Sequence, residues 1–239
     1  MKKLMKIMFR EVPLINGIVR RFPKADIQFK NDGSPVTELD LSLSSHIELL
    51  MEKNFSGVTF YSEEKFSEWK FPLLVLDPLD GTQEYIEGRD EWAISIGVFE
   101  SDKFEGEGWV YNPNREEVFN DDVVLYEYET KTSYVGEVSR SEYNQGLFQR
   151  TNDEGKFIIE AVGSIAYKLA RLAYQNSDFV VSLRPKNIWD IAGGTLLCKK
   201  AGLKFYSQGK EVTSVQKLYL PPLIWCHEEN FSELSKIYP

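Results

Sequence analysis

Acidic residues stand at the ends of apolar runs in this chain. Glu63 and Glu64 follow the strand-like stretch Val58–Tyr61, Asp77 and Asp80 follow the apolar run Phe71–Leu76, and Asp190 follows Trp189 at the start of a helical stretch. Strand ends and helix starts are where α/β folds gather ligands. Carboxylates are hard oxygen donors that suit Mg2+ or Mn2+. Several of them brought together without cations repel, so a shared metal is the natural way to hold them. Within Asp77-Pro78-Leu79-Asp80-Gly81-Thr82, the proline fixes φ and is expected to end the strand directly after Asp77. The turn can then aim both carboxylates at one point, with the Leu79 carbonyl as a further hard donor. Gly81 lets the backbone approach a ligand closely. Thr82 begins a short helical stretch whose first amides can meet phosphate oxygens. Asp-Gly alone makes a turn, but the whole hexapeptide behind a buried strand is more than a turn.

Composition narrows the chemistry. The chain has 239 residues, enough for one large domain or two tightly joined halves. Its 42% apolar and 27% charged content is that of a globular protein. No uncharged apolar stretch is long enough to span a membrane. The N-terminal apolar stretch is broken by Lys6 and Arg10, unlike a signal peptide, so the cytoplasm is the expected compartment. The net charge is −9, which argues against a nucleic-acid polymer as partner. An anionic substrate would need a local cationic site, which carboxylate-held metals supply. The two cysteines, Cys198 and Cys226, read as reduced core residues. The two histidines, His46 and His227, leave histidine-rich zinc chemistry and a Ser–His–Asp triad poorly supported.

The elements that must position these residues follow from periodicity. Apolar residues at helical spacing predict a helix within 1–22, interrupted by Pro13. A short strand at Asp26–Lys30 precedes the turn Asn31-Asp32-Gly33-Ser34-Pro35. Thr37 is placed to cap a helix through Met51, with Asp40 as its first-turn acid. Trp92–Phe99, Gly108–Tyr111 and Glu117–Phe119 predict antiparallel strands. In the second half, Tyr134–Val138, Phe179–Leu183, Lys204–Tyr206 and Leu223–Cys226 predict strands. Ser164–Tyr174 and Asp190–Ala201 predict helices, the latter ending at Gly202. This is an α+β half followed by an α/β half, 1–125 and 126–239, joined near 121–133 in one compact unit.

Four motifs stand in order: Gly33–Asp40, Ser62-Glu63-Glu64, the Asp77–Thr82 hexapeptide, and Trp189-Asp190-Ile191-Ala192-Gly193-Gly194. Together they resemble the inositol monophosphatase superfamily of lithium-sensitive, Mg2+-dependent phosphatases, over about residues 30–206. Leu79 within the hexapeptide, Gln83-Glu84-Tyr85 after it, Ser139-Arg140-Ser141 and Asn187–Asp190 look most like the CysQ branch. That branch removes the 3′-phosphate of adenosine 3′,5′-bisphosphate. The aspartates of the hexapeptide are three apart, unlike the Asp-x-Asp-x-Thr of haloacid dehalogenases, so an aspartate nucleophile is not expected.

The resemblance implies a layered αβαβα sandwich of the inositol monophosphatase/fructose-1,6-bisphosphatase type. It implies that Glu63, Asp77 and the Leu79 carbonyl hold a first metal, and that Asp77, Asp80 and Asp190 hold a second. A third, weaker Mg2+ would use Glu63, and Mn2+ could substitute. Glu64 would orient a water. Asp40 and Thr82 would relay its proton, and the Gly81 and Thr82 amides would hold the phosphate. Gly163 and Ser164 match the substrate-side motif, with Lys168 one position later than the nucleotidase lysine. The polyol-binding glutamate of inositol monophosphatases has no counterpart in 180–186, where Arg184 and Lys186 stand instead and favour a second anionic group. Taken singly, Glu63-Glu64 reads as a solvated turn, Asp40 as a helix-start acid and Asp190 as a cap. The expected partner is a small phosphorylated metabolite; the expected assembly leaves room for a homodimer. The alternatives are a phosphatase of inositol phosphate, fructose 1,6-bisphosphate or histidinol phosphate, and a catalytically silent metal- or nucleotide-binding protein.

Overall fold

A computed structural model describes residues 3–23, 26–30, 33–65, 68–148 and 155–239. Asn31 and Asp32 of the predicted turn lie outside these residues. Five layers stack. The first holds α1 (Lys3–Val19) and α2 (Glu38–Asn54). Next comes a sheet of β3 (Thr59–Ser62), β4 (Leu73–Asp80), β5 (Ala93–Phe99), β6 (Gly106–Asn112) and β7 (Glu117–Phe119), in that order. The central layer is α5 (Ile165–Ala173) and α6 (Ile188–Lys200). A second sheet follows in the order β13 (Lys210–Glu211), β12 (Lys204–Ser207), β15 (Leu223–Cys226), β10 (Phe179–Ser182), β8 (Tyr134–Ser139), β9 (Phe157–Val162). The last layer is α7 (Glu228–Ile237), with α4 (Arg140–Asn144) at the end of β8. The hairpin of β1 (Ile27–Phe29) and β2 (Pro35–Thr37) leads into α2, and α3 (Thr82–Ile86) follows β4. A two-residue pairing of β11 (Lys186–Asn187) with β14 (Leu218–Tyr219) precedes α6. This is the expected αβαβα sandwich. No described helix is long and apolar enough to cross a membrane.

Three apolar clusters glue the layers. Leu4, Met8, Leu43 and Ile47 of α1 and α2 pack on Leu74, Leu76, Ile94 and Ile96 of the first sheet. Val75, Ala93 and Val110 on that sheet's other face meet Leu169, Ala192 and Leu196, which meet Val180, Phe205 and Trp225 of the second sheet. Phe179, Val181 and Ile224 meet Leu234 and Tyr238 outside it. Alternate residues of β4 thus face two different layers, which is why the run reads as continuously apolar.

Helix α6 approaches the first sheet unusually closely. A Cβ on Gly193 would stand 2.8 Å from Ser95 Oγ and 2.9 Å from the Ile96 and Trp109 carbonyls. Gly97 and Gly108 make the matching room on the strands, where a Cβ would meet Ala192 Cβ at 2.9 Å and Gly193 O at 2.6 Å. This glycine seam brings the start of α6, and Asp190 with it, to the end of β4.

The structure differs from expectation at Pro78. Strand β4 does not stop at Asp77 but continues to Asp80, with a register shift between Asp77↔Ser95 and Asp80↔Ala93. Pro78 falls in that irregularity, where no ladder N–H is required. Helix α6 begins at Ile188, two residues before Asp190. Strand β9 and helices α4 and α7 were not expected from the sequence.

Candidate active site

Each acid is placed by a local device. Asp77 is buried and accepts the Leu79 amide across Pro78 at 3.0 Å. Asp80 is pinned to the central layer: its Oδ2 accepts Ser164 Oγ–H and the Ala166 amide, the latter at 2.6 Å. A carboxylate at the start of α5 is favoured by the helix dipole. Asp190 is the third residue of α6 rather than its cap; it accepts the Asn187 amide at 2.8 Å in a capping box. Carboxylate oxygens of Asp77, Asp80 and Asp190 all lie within 4.8 Å of one another. Three segments far apart in sequence thus meet as one hard-oxygen cluster.

The cluster is electrostatically strained without a cation. Burial, then repulsion from Glu63, Asp80 and Asp190, raises Asp77 well above the ordinary carboxylate range. Burial also raises Asp80, against the Ser164 and Ala166 hydrogen bonds. Asp190 is pushed up to about 7, chiefly by burial, with Lys186 opposing and Asp80 adding repulsion. Groups so placed either hold protons or hold metal. The donor set therefore fits a divalent hard cation.

The expected neighbours are present, with corrections. Asp40 is buried at the first turn of α2 and accepts the Thr37 amide at 2.8 Å and the Thr37 hydroxyl. Burial raises its pKa. Thr82 Oγ lies 3.1 Å from the Leu79 carbonyl and 3.4 Å from Asp40 Oδ1, so the expected relay pair is adjacent. Gly81 adopts φ +93°, a conformation that suits glycine, as the chain turns from β4 into α3. Glu63 and Glu64 stand outside the aspartate triad and share the Lys30 ammonium, each at 2.6 Å. Burial, then repulsion from Glu64 and Asp40 against the Lys30 contact, raises Glu63.

On the substrate side, Asp80, Gly81, Glu84, Ser164, Lys168 and Lys186 are among the residues that line a cavity of about 150 Å³, with Ser139, Ser141 and Ser182 on its wall. Lys186 reaches it, within electrostatic range of Asp80 and Asp190. Lys168 borders the same cavity. It is 1% exposed and places its ammonium on the Val162, Gly163 and Ser164 carbonyls at 2.9, 3.2 and 2.9 Å. These bonds hold the Gly163-Ser164 loop at the cavity wall. Burial lowers the Lys168 pKa to about 8. Arg184 is exposed and donates to Gln145, away from the cavity lining. Of the two cations, Lys186 lines this cavity.

Sequence reasoning missed Lys30 and the contact that Glu84 makes with Gly163. A Cβ on Gly163 would stand 2.3 Å from Glu84 Cγ, so Gly163 is small because the Glu84 side chain occupies its face. Neither residue has a spacing that marks it, because both act across space.

A five-layered α/β sandwich with carboxylates gathered at strand and helix ends is the frame of a metal-dependent phosphomonoesterase. The chain belongs to the inositol monophosphatase family, whose model matches residues 12–229. It is 27% identical over 220 residues to the fructose-1,6-bisphosphatase/inositol-1-monophosphatase of Thermotoga maritima, covering 84% of this chain and 83% of that one. It is 26% identical over 209 residues to the 3′(2′),5′-bisphosphate nucleotidase CysQ of Escherichia coli, covering 77% and 81%. Among solved structures, an IMPase/NADP phosphatase complexed with Mg2+ and phosphate superposes with a TM-score of 0.81 at 16% identity, over 98% of this chain and 94% of that one. The family is one of Mg2+-dependent phosphatases acting on small phosphorylated substrates.

Proposed function

We propose that this protein hydrolyses the phosphomonoester of a small metabolite bearing a second anionic group, adenosine 3′,5′-bisphosphate first among them. The observation that carries the reading is the aspartate triad together with Lys186, which lines the cavity that Asp80 borders. Asp77, Asp80, Asp190, Glu63 and the Leu79 carbonyl would hold two Mg2+, with a third at Glu63 and Mn2+ able to replace them. Bound there, the ions supply positive charge for the ester oxygens and acidify the attacking water, chemistry suited to an ester whose uncatalysed hydrolysis is extremely slow. The Gly81 and Thr82 amides orient the phosphate. Thr82 and Asp40 receive the proton of the attacking water, Asp40 being an acceptor already held by Thr37. Ser164 keeps Asp80 in place through its hydroxyl. Lys186 meets the second anion.

A sugar or polyol phosphate is the second reading. It is favoured by the compact cavity, whose lining holds serine hydroxyls and Glu84 and, among the described residues, no aromatic ring to stack a base. Phosphate release from adenosine 3′,5′-bisphosphate, inositol 1-phosphate and fructose 1,6-bisphosphate, with Mg2+ and with added Li+, separates the two. The first reading expects the nucleotide to have the highest kcat/KM, and Lys186→Ala to raise KM for bisphosphates more than for monophosphates. Preference for inositol 1-phosphate with no Lys186 effect selects the second. No turnover of any substrate contradicts both and points to a silent binding protein.

A further inference from the structure

The acidic pair Glu63-Glu64 is bridged by one ammonium. Lys30, at the turn end of the β1–β2 hairpin, places Nζ 2.6 Å from Glu63 Oε1 and 2.6 Å from Glu64 Oε1. All three side chains are mostly buried, at 22%, 22% and 15% exposed. Lys30 is itself held by backbone bonds: its amide donates to Ser34 O and the Gly33 amide donates to its carbonyl, both at 2.9 Å. Glu63 adds repulsion to both Asp77 and Asp190, yet its carboxylate is not among the three that converge.

We propose that Lys30 is an internal competitor for the cation site at Glu63, and that Glu64 is the carboxylate that keeps Lys30 when Glu63 turns to a metal. The inference rests on the reading of Glu63 as a metal ligand. A monovalent ammonium already neutralises part of the Glu63 charge, so a divalent ion must displace that contact and then tolerate a positive charge nearby. With Glu63 alone as partner, displacement would strand a half-buried ammonium at high cost. Glu64, bonded to the same nitrogen, removes that cost, because Lys30 gives up one of two contacts rather than its only one. The neighbouring glutamates thus have different duties, one toward the metal and one toward the lysine. Lys30 sets divalent-ion affinity and is not a catalytic residue.

Mn2+ binding to the full-length protein tests this, with isotherms from calorimetry and from the free-ion electron paramagnetic resonance signal. Lys30→Met is expected to tighten Mn2+ binding about tenfold, the scale of one half-buried charge-assisted contact. Lys30→Arg, which keeps the charge, is expected to stay within about twofold of the parent. Glu63→Gln is expected to weaken binding, and adding Lys30→Met to it is expected to tighten binding less than in the parent, because the contact under competition is gone and only the nearby charge is relieved. Circular dichroism and melting on each variant confirm the fold, with Lys30→Gln standing in should the methionine variant not fold. If Glu63→Gln weakens binding but Lys30→Met leaves it unchanged or weaker, the competitor role is overturned while the metal assignment survives. Equal tightening by methionine and arginine also overturns it, since charge is then not the cause. No effect of Glu63→Gln overturns the metal assignment itself.

Discussion

Asp190→Asn should make the metal-free protein more stable while destroying its response to Mg2+. In the metal-free fold, Asp190 is raised from the ordinary 3.8 to about 7, first by burial and then by the balance of Asp80 and Glu63 against Lys186 and the Asn187 amide. A carboxyl whose folded pKa lies above its unfolded value holds its proton better when folded. Its contribution therefore falls as pH rises from about 4 to 7, and the full cost is present above 7. Three pH units correspond to about 4 kcal/mol. Water at the half-buried edge of the group screens part of this, leaving about 2 kcal/mol. Asparagine keeps an oxygen to accept the Asn187 amide, so the capping box at the start of α6 survives. For a chain of this size the relief corresponds to a rise in Tm of about 4–8 °C at pH 8 in chelator. At pH 5 the folded carboxyl is protonated but the unfolded one is mostly ionised, so roughly a third of the difference should remain. Adding Mg2+ at pH 8 should raise Tm of the parent and barely move the variant. Scanning calorimetry at both pH values, with and without Mg2+, reads all of this. A variant that melts lower at pH 8 without metal, or that shows the same shift at pH 5, would refute the electrostatic account of the cluster.

Other expectations concern the groups around the triad. Gly163→Ala forces its Cβ to within 2.3 Å of Glu84 Cγ, so kcat/KM should fall about tenfold, and Glu84→Ala should restore much of the loss in the double variant. Lys168→Met leaves three carbonyls without their shared donor and should cost about 2–4 kcal/mol in urea unfolding. Thr82→Val removes the hydroxyl between Leu79 and Asp40; in the hydrolysis assay kcat should fall at least tenfold with KM changed less.

Much of this arrangement was legible from residue order, and the rest was not for identifiable reasons. Thr37 with Asp40 gave the start of α2 because a capping box is a local interaction that spacing encodes. The apolar run before Asp77 gave β4 because burial on both faces leaves an unbroken run. Its end was misplaced because the pairing of Asp80 with Ala93 across a register shift is set by β5, not by Pro78. The carbonyl contacts of Lys168 were not legible, because spacing along a helix does not say whether an ammonium faces solvent or the carbonyls of the preceding loop. The Arg184 contact with Gln145 was not legible either, because it is a property of the fold. Lys30 was invisible because its partners lie 33 and 34 residues away. Strand β9 follows a polar stretch without a clear alternation, and α7 is a short amphipathic helix whose cap is His227, a residue with little capping reputation.

The most direct measurement is an anomalous difference map from crystals grown with Mn2+ and phosphate. The account predicts a manganese peak bonded to Asp77, Asp80 and Asp190, with phosphate beside it over Gly81 and Thr82. Well-ordered carboxylates with no manganese between them, at saturating Mn2+, would contradict it.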